Sequence, residues 1–180
     1  MTAFTSRKTS PRLERFDYRG QHAYFVTINT QNRQRELGGE WSRTCVSILA
    51  ATAAKLDFEM IAFTFMPDHV HLLAAGTSDT ADLVKFMQKY KQLTGFAYKR
   101  QAGRQLWRRS YYDRVLRSES EIADIAAYIW HNPVRGGLTH DAASYPFSGP
   151  ADRFEALASD RAEALSLRLG PLFEQSARCA

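Results

Sequence analysis

The apolar residues of this chain recur with two periods, one of two residues and one of three to four, and the order in which these periods alternate specifies a topology. Tyr24, Phe25, Val26, Thr27, Ile28, Asn29 and Thr30 form an aromatic and β-branched run bounded by polar residues, which reads as a first strand. Residues 41–56 carry Val46, Leu49, Ala50, Ala53 and Leu56 at helical spacing. Residues 58–66 and 69–75 read as two strands separated only by Pro67 and Asp68, a connection short enough for an antiparallel hairpin. Ser78 or Thr80 is expected to cap the next helix, with Asp79 and Asp82 in its first turn. Leu83, Phe86, Met87, Tyr90, Leu93 and Ala97 form its stripe, and Gly95 is expected to bend its end.

Beyond a loop around Gly103, residues 113–117 form a short β-like run. Ser118, Glu119, Ser120 and Glu121 match a capping box that starts a third helix, expected to stop at Asn132 because Pro133 follows. The order is β-α-β-β-α-β with one further helix. It predicts an α+β, ferredoxin-like fold: an antiparallel sheet with two helices on one face, plus an additional C-terminal helix. Three segments are expected, a basic N-terminal arm over 1–20, one domain over 21–150 and a helical tail over 151–180, whose amphipathic stretch covers 154–169. There are no internal repeats.

Composition narrows the class. The 180 residues are 44% apolar, enough for one core, and no apolar run approaches the ~20 residues that span a bilayer. With no apolar signal segment behind the polar, basic start, a cytoplasmic protein without a membrane partner is expected. Cys45 and Cys179 are too few and too far apart for a disulfide framework or a cysteine metal site.

The net charge of +5 is unevenly spread. Residues 83–117 hold ten Lys or Arg against one acid, Asp113, whereas the remainder of the chain is net acidic. The same segment holds Phe86, Tyr90, Phe96, Tyr98, Trp107, Tyr111 and Tyr112. Cations neutralise phosphates and exposed rings stack on unpaired bases, so the interleaving suits single-stranded or distorted nucleic acid. About half of these rings belong to the core on the same pattern, and a charged run also serves as a solvated helix face. The basic residues expected on DNA are Arg12 and Arg15 of the arm, with Lys85, Lys89, Lys91, Lys99, Arg100, Arg108, Arg109 and Arg114.

Two short segments carry chemistry. Side chains alternate along a strand, so His69 and His71 point to one face, and two imidazoles at that spacing can share a metal ion. A single strand histidine is ordinarily structural; a pair beside a tight turn is less ordinary. In the third helix Tyr128 and Asn132 lie four residues apart and share a face distinct from the Ile122, Ile125, Ala126 and Ile129 stripe. Taken alone, Tyr128 reads equally as a ring at the core edge and Asn132 as the residue that ends the helix.

Together these segments resemble the HUH single-tyrosine transposases of the IS200-like superfamily over most of residues 24–150. The palindrome-associated branch is matched further by Tyr24 to Thr27, by Leu106, Trp107, Arg108, Arg109, Ser110, Tyr111, Tyr112, Asp113, Arg114, Val115, Leu116 and Arg117, by residues 128–137 ending in Asn132, Pro133, Val134, Arg135, Gly136 and Gly137, and by Tyr145, Pro146, Phe147 and Ser148. In this order and spacing the set is specific, although the histidine motif alone is short.

The resemblance implies that His69 and His71 are metal ligands, that Tyr128 is the nucleophile, and that Asn132 completes the metal shell where insertion-sequence relatives often use glutamine. It implies Mg²⁺ or Mn²⁺, a choice that rests on the resemblance because imidazole ligands by themselves also accept Zn²⁺ or Ni²⁺. The implied partner is single-stranded DNA folded into a hairpin, a palindromic repeat of the REP type. Cleavage leaves a 5′-phosphotyrosine and a free 3′-hydroxyl, and reversal of that attack rejoins strands. Phenols ionise near pH ~10, so a nearby cation is needed to favour the phenolate at neutral pH. The branch implies a monomer; insertion-sequence relatives exchange tyrosine helices in a dimer.

Three other readings compete. A non-catalytic hairpin-binding regulator keeps the basic face but has no need of Tyr128, His69 and His71 together. Relaxases and replication initiators are larger or order tyrosine and histidines differently. A zinc hydrolase requires a third strong ligand and a water-activating carboxylate, and Asp68, the nearest acid, is expected on the face opposite the histidines if the strand starts at it.

Overall fold

The computed structural model describes residues 16–159. Strands β1 (Ala23–Asn29), β2 (Phe58–Met66), β3 (His69–Gly76), β4 (Tyr112–Leu116) and β5 (Ser148–Pro150) form one sheet in the order β4-β1-β3-β2-β5. All four pairings are antiparallel. The first four strands take the ferredoxin-like order that the sequence implies. β5 extends the β2 edge and has no counterpart in the sequence reading, because Ser148, Gly149 and Pro150 are too few to display a period.

Four helices complete the described chain: α1 (Gly39–Lys55), α2 (Leu83–Ala102), α3 (Glu119–Arg135) and α4 (Ala151–Ser159). Strand alternation divides the core into two layers. Tyr24, Val26, Ile28, Val70, Leu72 and Ala74 face α1 and α2, where Val46, Leu49, Phe86, Met87 and Tyr90 are buried with them. The intervening residues Phe25 and Leu73, with Ala62 and Leu116, meet Ile125 and Ile129 of α3 on the other side. Burial of a side chain the size of isoleucine stabilises by about 1.5–3 kcal/mol, so the Ile stripe fixes α3 on the sheet. Residues beside that stripe inherit its position.

Element boundaries depart from expectation at three helix ends. α2 begins at Leu83 rather than near Ser78, because the Ser78 and Thr80 hydroxyls donate to the Asp57 carboxylate, at 2.7 and 3.3 Å. Asp82 caps instead, its carboxylate accepting the Lys85 N–H at 3.1 Å. Gly95 does not bend the helix, which runs to Ala102 and is closed by Gly103 in the left-handed region at φ 70°. α3 passes through Pro133 to Arg135, one turn beyond the expected stop at Asn132. A proline so near the end forfeits one hydrogen bond, and the Gly136 N–H reaches back to the Asn132 carbonyl at 2.8 Å to close the turn.

The packed unit also extends beyond residues 21–150. Phe16 and Tyr18 stack edge to face at 5.1 Å and join the core beside Tyr24. Phe154 of α4 packs on Phe63 at 5.2 Å. The remainder of the amphipathic tail stretch, Cys179, Arg12 and Arg15 lie outside the described residues. No helix among the described residues is long and apolar enough to cross a membrane.

Candidate functional site

Register builds the site. His69 is paired with Asn29 and Met66, and His71 with Thr27 and Thr64, so both imidazoles project from the central strand on the α3 side. Their ring centroids lie 4.7 Å apart.

Each ring is held at Nδ1. His69 Nδ1 lies 2.6 Å from Asp68 Oδ1, and His71 Nδ1 lies 2.8 Å from Thr27 Oγ1. A carboxylate only accepts, so His69 donates from Nδ1 and its neutral ring keeps a lone pair on Nε2. The threonine hydroxyl either accepts from or donates to Nδ1 of His71, and in the accepting arrangement Nε2 of His71 likewise keeps its lone pair. Burial holds His69 below the usual imidazole range against the opposing pull of Asp68. Burial, with the neighbouring His69 and Arg33 charges, pushes His71 well below it. Both rings are therefore uncharged at neutral pH, the form that ligates metal.

Asp68 does not occupy the opposite face as expected. It belongs to the two-residue turn, outside the strand alternation, and its side chain folds back onto His69. The loop after β1 fixes that turn: the Thr30 N–H and hydroxyl both donate to the Asp68 carbonyl, at 3.0 and 2.9 Å, and the Leu37 N–H donates to the Pro67 carbonyl at 2.9 Å. Arg33 completes the arrangement. Its Nε lies 3.1 Å from Asp68 Oδ2 and its Nη1 donates to Asn29 Oδ1. Arg33 and Asn32 both hold positive φ, 56° and 53°, a strained conformation that concentrates at functional sites.

Tyr128 approaches from α3. Its ring stands edge-on to His71 with centroids 5.5 Å apart and edge-on to Phe25 at 6.0 Å, while the Arg135 guanidinium lies over it at 5.2 Å. The ring thus borders the Ile stripe, half-buried, with its face covered by a cation. Asn132 lies one helical turn further on and is buried, and its amide makes no side-chain hydrogen bond among the described residues. Thr64, beside His71 in the sheet, buries a hydroxyl that likewise has no hydrogen-bond partner. Gly136 sets the α3 end against β2: a Cβ there would lie 2.7 Å from Met66 Cε.

These residues fit a divalent cation. Two neutral imidazoles with anchored Nδ1 atoms, an amide without a partner and an orphaned hydroxyl leave donor atoms for an ion and its water. Among the described residues no group of three or more His, Cys, Asp or Glu side chains is placed to hold a metal ion together.

The basic residues divide among several surfaces. Lys91, Lys99, Arg108 and Arg109 line an open groove of about 570 Å³ between α2 and residues 105–111. Lys91 is also a structural clasp, its Nζ donating to the Arg108 and Arg109 carbonyls at 2.8 Å each. Arg100 lies over Phe96, and Lys85 pairs with Asp82 at 3.9 Å. Partial burial, with the neighbouring Lys55 charge of α1, holds the Lys89 amine below its usual range. Arg114 sits on the sheet's other face, bound to Glu121 at the start of α3. The sequence reading gave Thr27, Arg33, Thr64 and Arg135 no role at the site; of these, the role of Thr27 was findable by pairing the first strand against the histidine strand.

The family model described as IS200-like transposase matches residues 19–132. A Haemophilus influenzae protein bearing the REP-associated tyrosine transposase description is 26% identical over 145 residues, covering 74% of this chain and 82% of that protein. The REP-associated tyrosine transposase of Escherichia coli K12 is 23% identical over 128 residues, covering 69% of this chain and 74% of that one. Among solved structures, a REP-associated tyrosine transposase bound to a REP hairpin superposes with a TM-score of 0.65 at 20% identity, over 77% of this chain and 82% of that one, a likeness of fold. The family match and the named relatives define a transposase enzyme. The chain belongs to the IS200-like transposase family.

Proposed function

We propose that the protein cuts and rejoins single-stranded DNA at a hairpin of the palindromic-repeat type, through a 5′-phosphotyrosine on Tyr128. The approach of Tyr128 to His71 on the α3 side of the sheet carries this reading. The hairpin partner is supported by the similarity to a protein whose structure holds a REP hairpin.

In this reading His69 and His71 hold Mg²⁺ or Mn²⁺ with Asn132 as third ligand, and the ion supplies charge neutralisation at the phosphate and favours the phenolate. Tyr128 Oη attacks the scissile phosphorus and the 3′-oxygen leaves as a hydroxyl; attack by a 3′-hydroxyl on the phosphotyrosine restores the strand and frees the phenol. One phosphodiester replaces another, so no external energy source is required. Asp68 and Thr27 orient the imidazoles, and Arg135 covers the ring of the nucleophile. A monomer suffices, because α3 of this chain packs on its own sheet beside its own histidines.

The test is incubation with single-stranded hairpin oligonucleotides, drawn from palindromic repeats of the source genome, in Mn²⁺. A covalent DNA–peptide adduct containing Tyr128 on a 5′-phosphate is expected. An adduct at Tyr90, Tyr98, Tyr111 or Tyr112 would move the nucleophile, and no adduct with any such hairpin would favour a binding protein without catalysis.

A further inference from the structure

The groove on α2 has the character of a built site. Its floor is Trp107, buried and anchored by an Nε1–H bond to Thr94 Oγ1 at 2.7 Å, with Gly95 and Leu106 beside it. Phe96 stands on its side at 46% exposure, the one large apolar side chain so exposed among the described residues. Lys99, Arg108 and Arg109 supply positive charge, and none of the described residues lining it is acidic.

Gly95 adds an independent observation. Glycine inside a helix costs stability relative to alanine, and here neither close packing nor backbone conformation demands it. A Cβ at Gly95 would meet only Trp107 Cδ1, at 3.9 Å, an ordinary contact. What the missing side chain preserves is open space over the indole.

The groove also connects to the transposase face. The Arg108 N–H donates to the Asn29 carbonyl at 3.0 Å, and Asn29 is the strand partner of His69. Further along this rim, Tyr111 lines the groove while its neighbour Tyr112 packs on Phe25, which touches Tyr128. Residues 108–112 therefore form a low wall with the groove on one side and the tyrosine and histidines on the other.

We propose that this groove seats unpaired nucleotides of the single strand next to the scissile phosphate, their bases stacking on Phe96 above Trp107 and their phosphates meeting Lys99, Arg108 and Arg109. The proposal rests on the reading of the protein as a single-strand transposase and assigns the part of the substrate each face holds. Stacking of this kind tolerates any base, because every base has a π-face.

Fluorescence anisotropy tests it with 5′-fluorescein oligo-dT of about ten nucleotides and with the same strand annealed to oligo-dA. The wild-type chain is expected to bind the single strand about tenfold tighter than the duplex. Gly95→Gln, which fills the groove, and Phe96→Ala, which removes the platform, are each expected to weaken oligo-dT binding about tenfold and leave duplex binding unchanged. Both sites are on the outer side of a helix, and circular dichroism melts check that the fold is kept. Oligo-dT carrying 5-iododeoxyuridine is expected to crosslink to peptides containing Phe96, Trp107 or Tyr111. Wild-type binding by both variants, a preference for duplex, or crosslinks confined to other peptides would each overturn the groove assignment. The Tyr128 adduct is scored separately: its presence alongside groove variants that bind like wild type removes the groove alone, and its absence alongside weakened groove variants removes the strand-transfer reading alone.

Discussion

The Tyr128 ring meets the His71 imidazole edge-on, centroids 5.5 Å apart at an interplanar angle of 64°, although the two residues lie on different elements and 57 positions apart in the chain. The contact exists because the Ile125 and Ile129 stripe lays α3 across the sheet face from which His71 projects. It gives the proposed nucleophile and the proposed metal ligand a common neighbourhood.

Tyr128→Phe separates chemistry from packing. The ring contacts with Phe25, His71 and Arg135 survive, so the change should cost no more than about one hydrogen bond, ~0.5–1.5 kcal/mol, and hairpin binding should persist. Covalent adduct and strand cleavage should vanish. Turnover by the Phe variant at anything near the wild-type rate would remove Tyr128 from the mechanism.

Asp68 should matter for metal rather than for fold. Asp68→Ala releases His69 Nδ1 and leaves Arg33 without its carboxylate partner, with only Asn29 still holding it, and loss of such an orienting group typically lowers metal affinity 10–100-fold. Mn²⁺ titration followed by electron paramagnetic resonance reads this directly. Asp68→Asn retains an acceptor oxygen and should fall between Ala and wild type; equal affinities in all three proteins would show that Asp68 does not position the ligand.

Much of this arrangement was legible in the sequence because it rests on local periods. Alternation put His69 and His71 on one face, and the capping box with its Ile stripe gave α3. What the sequence left obscure depends on pairing partners and on side chains outside any period. Thr27 became the support of His71 only through the β1–β3 register. Asp68 was misplaced because strand alternation was extended into a turn that does not obey it. Arg33 sits in a 3-10 turn with positive φ, a conformation no apolar pattern announces. Lys91, expected on DNA from the interleaving of cations and rings, also binds two backbone carbonyls, a contact that no period announces.

Asn132 invites a paired comparison. If its amide completes the metal shell, Asn132→Ala should abolish cleavage and weaken Mn²⁺ binding, while Asn132→Gln restores the amide at longer reach and should recover part of both. Full activity in the two variants together would exclude the amide from the site.

Cys45 provides a pH test of the core. Burial pushes its thiol up from 9.0 to about 12. The unfolded chain therefore loses this proton from about pH 9 while the folded chain keeps it, so stability is fully present below pH 9 and falls as pH rises toward 12. Thermal melts between pH 8 and about 10 should show a declining Tm whose slope is reduced in Cys45→Ala, even though that variant is less stable at every pH. Tyr90, whose phenol is also raised by burial, adds to the decline only above its own usual range.

Thr64 sets stability against function at one atom. Its hydroxyl is buried without a hydrogen-bond partner, beside His71 in the sheet, and an unsatisfied buried hydroxyl costs about 1–3 kcal/mol. Valine has nearly the same shape and lacks the polar atom, so Thr64→Val should raise the metal-free Tm, by ~2–4 °C for each kcal/mol recovered in a chain of this size. If the hydroxyl is retained because it meets an ion's water shell, the same variant should bind Mn²⁺ more weakly and cleave more slowly at limiting metal, with rate restored by excess Mn²⁺. A Tm gain with unchanged Mn²⁺ affinity would make Thr64 a core imperfection with no part in the site. A Tm loss would mean that the hydroxyl is satisfied by water within the fold.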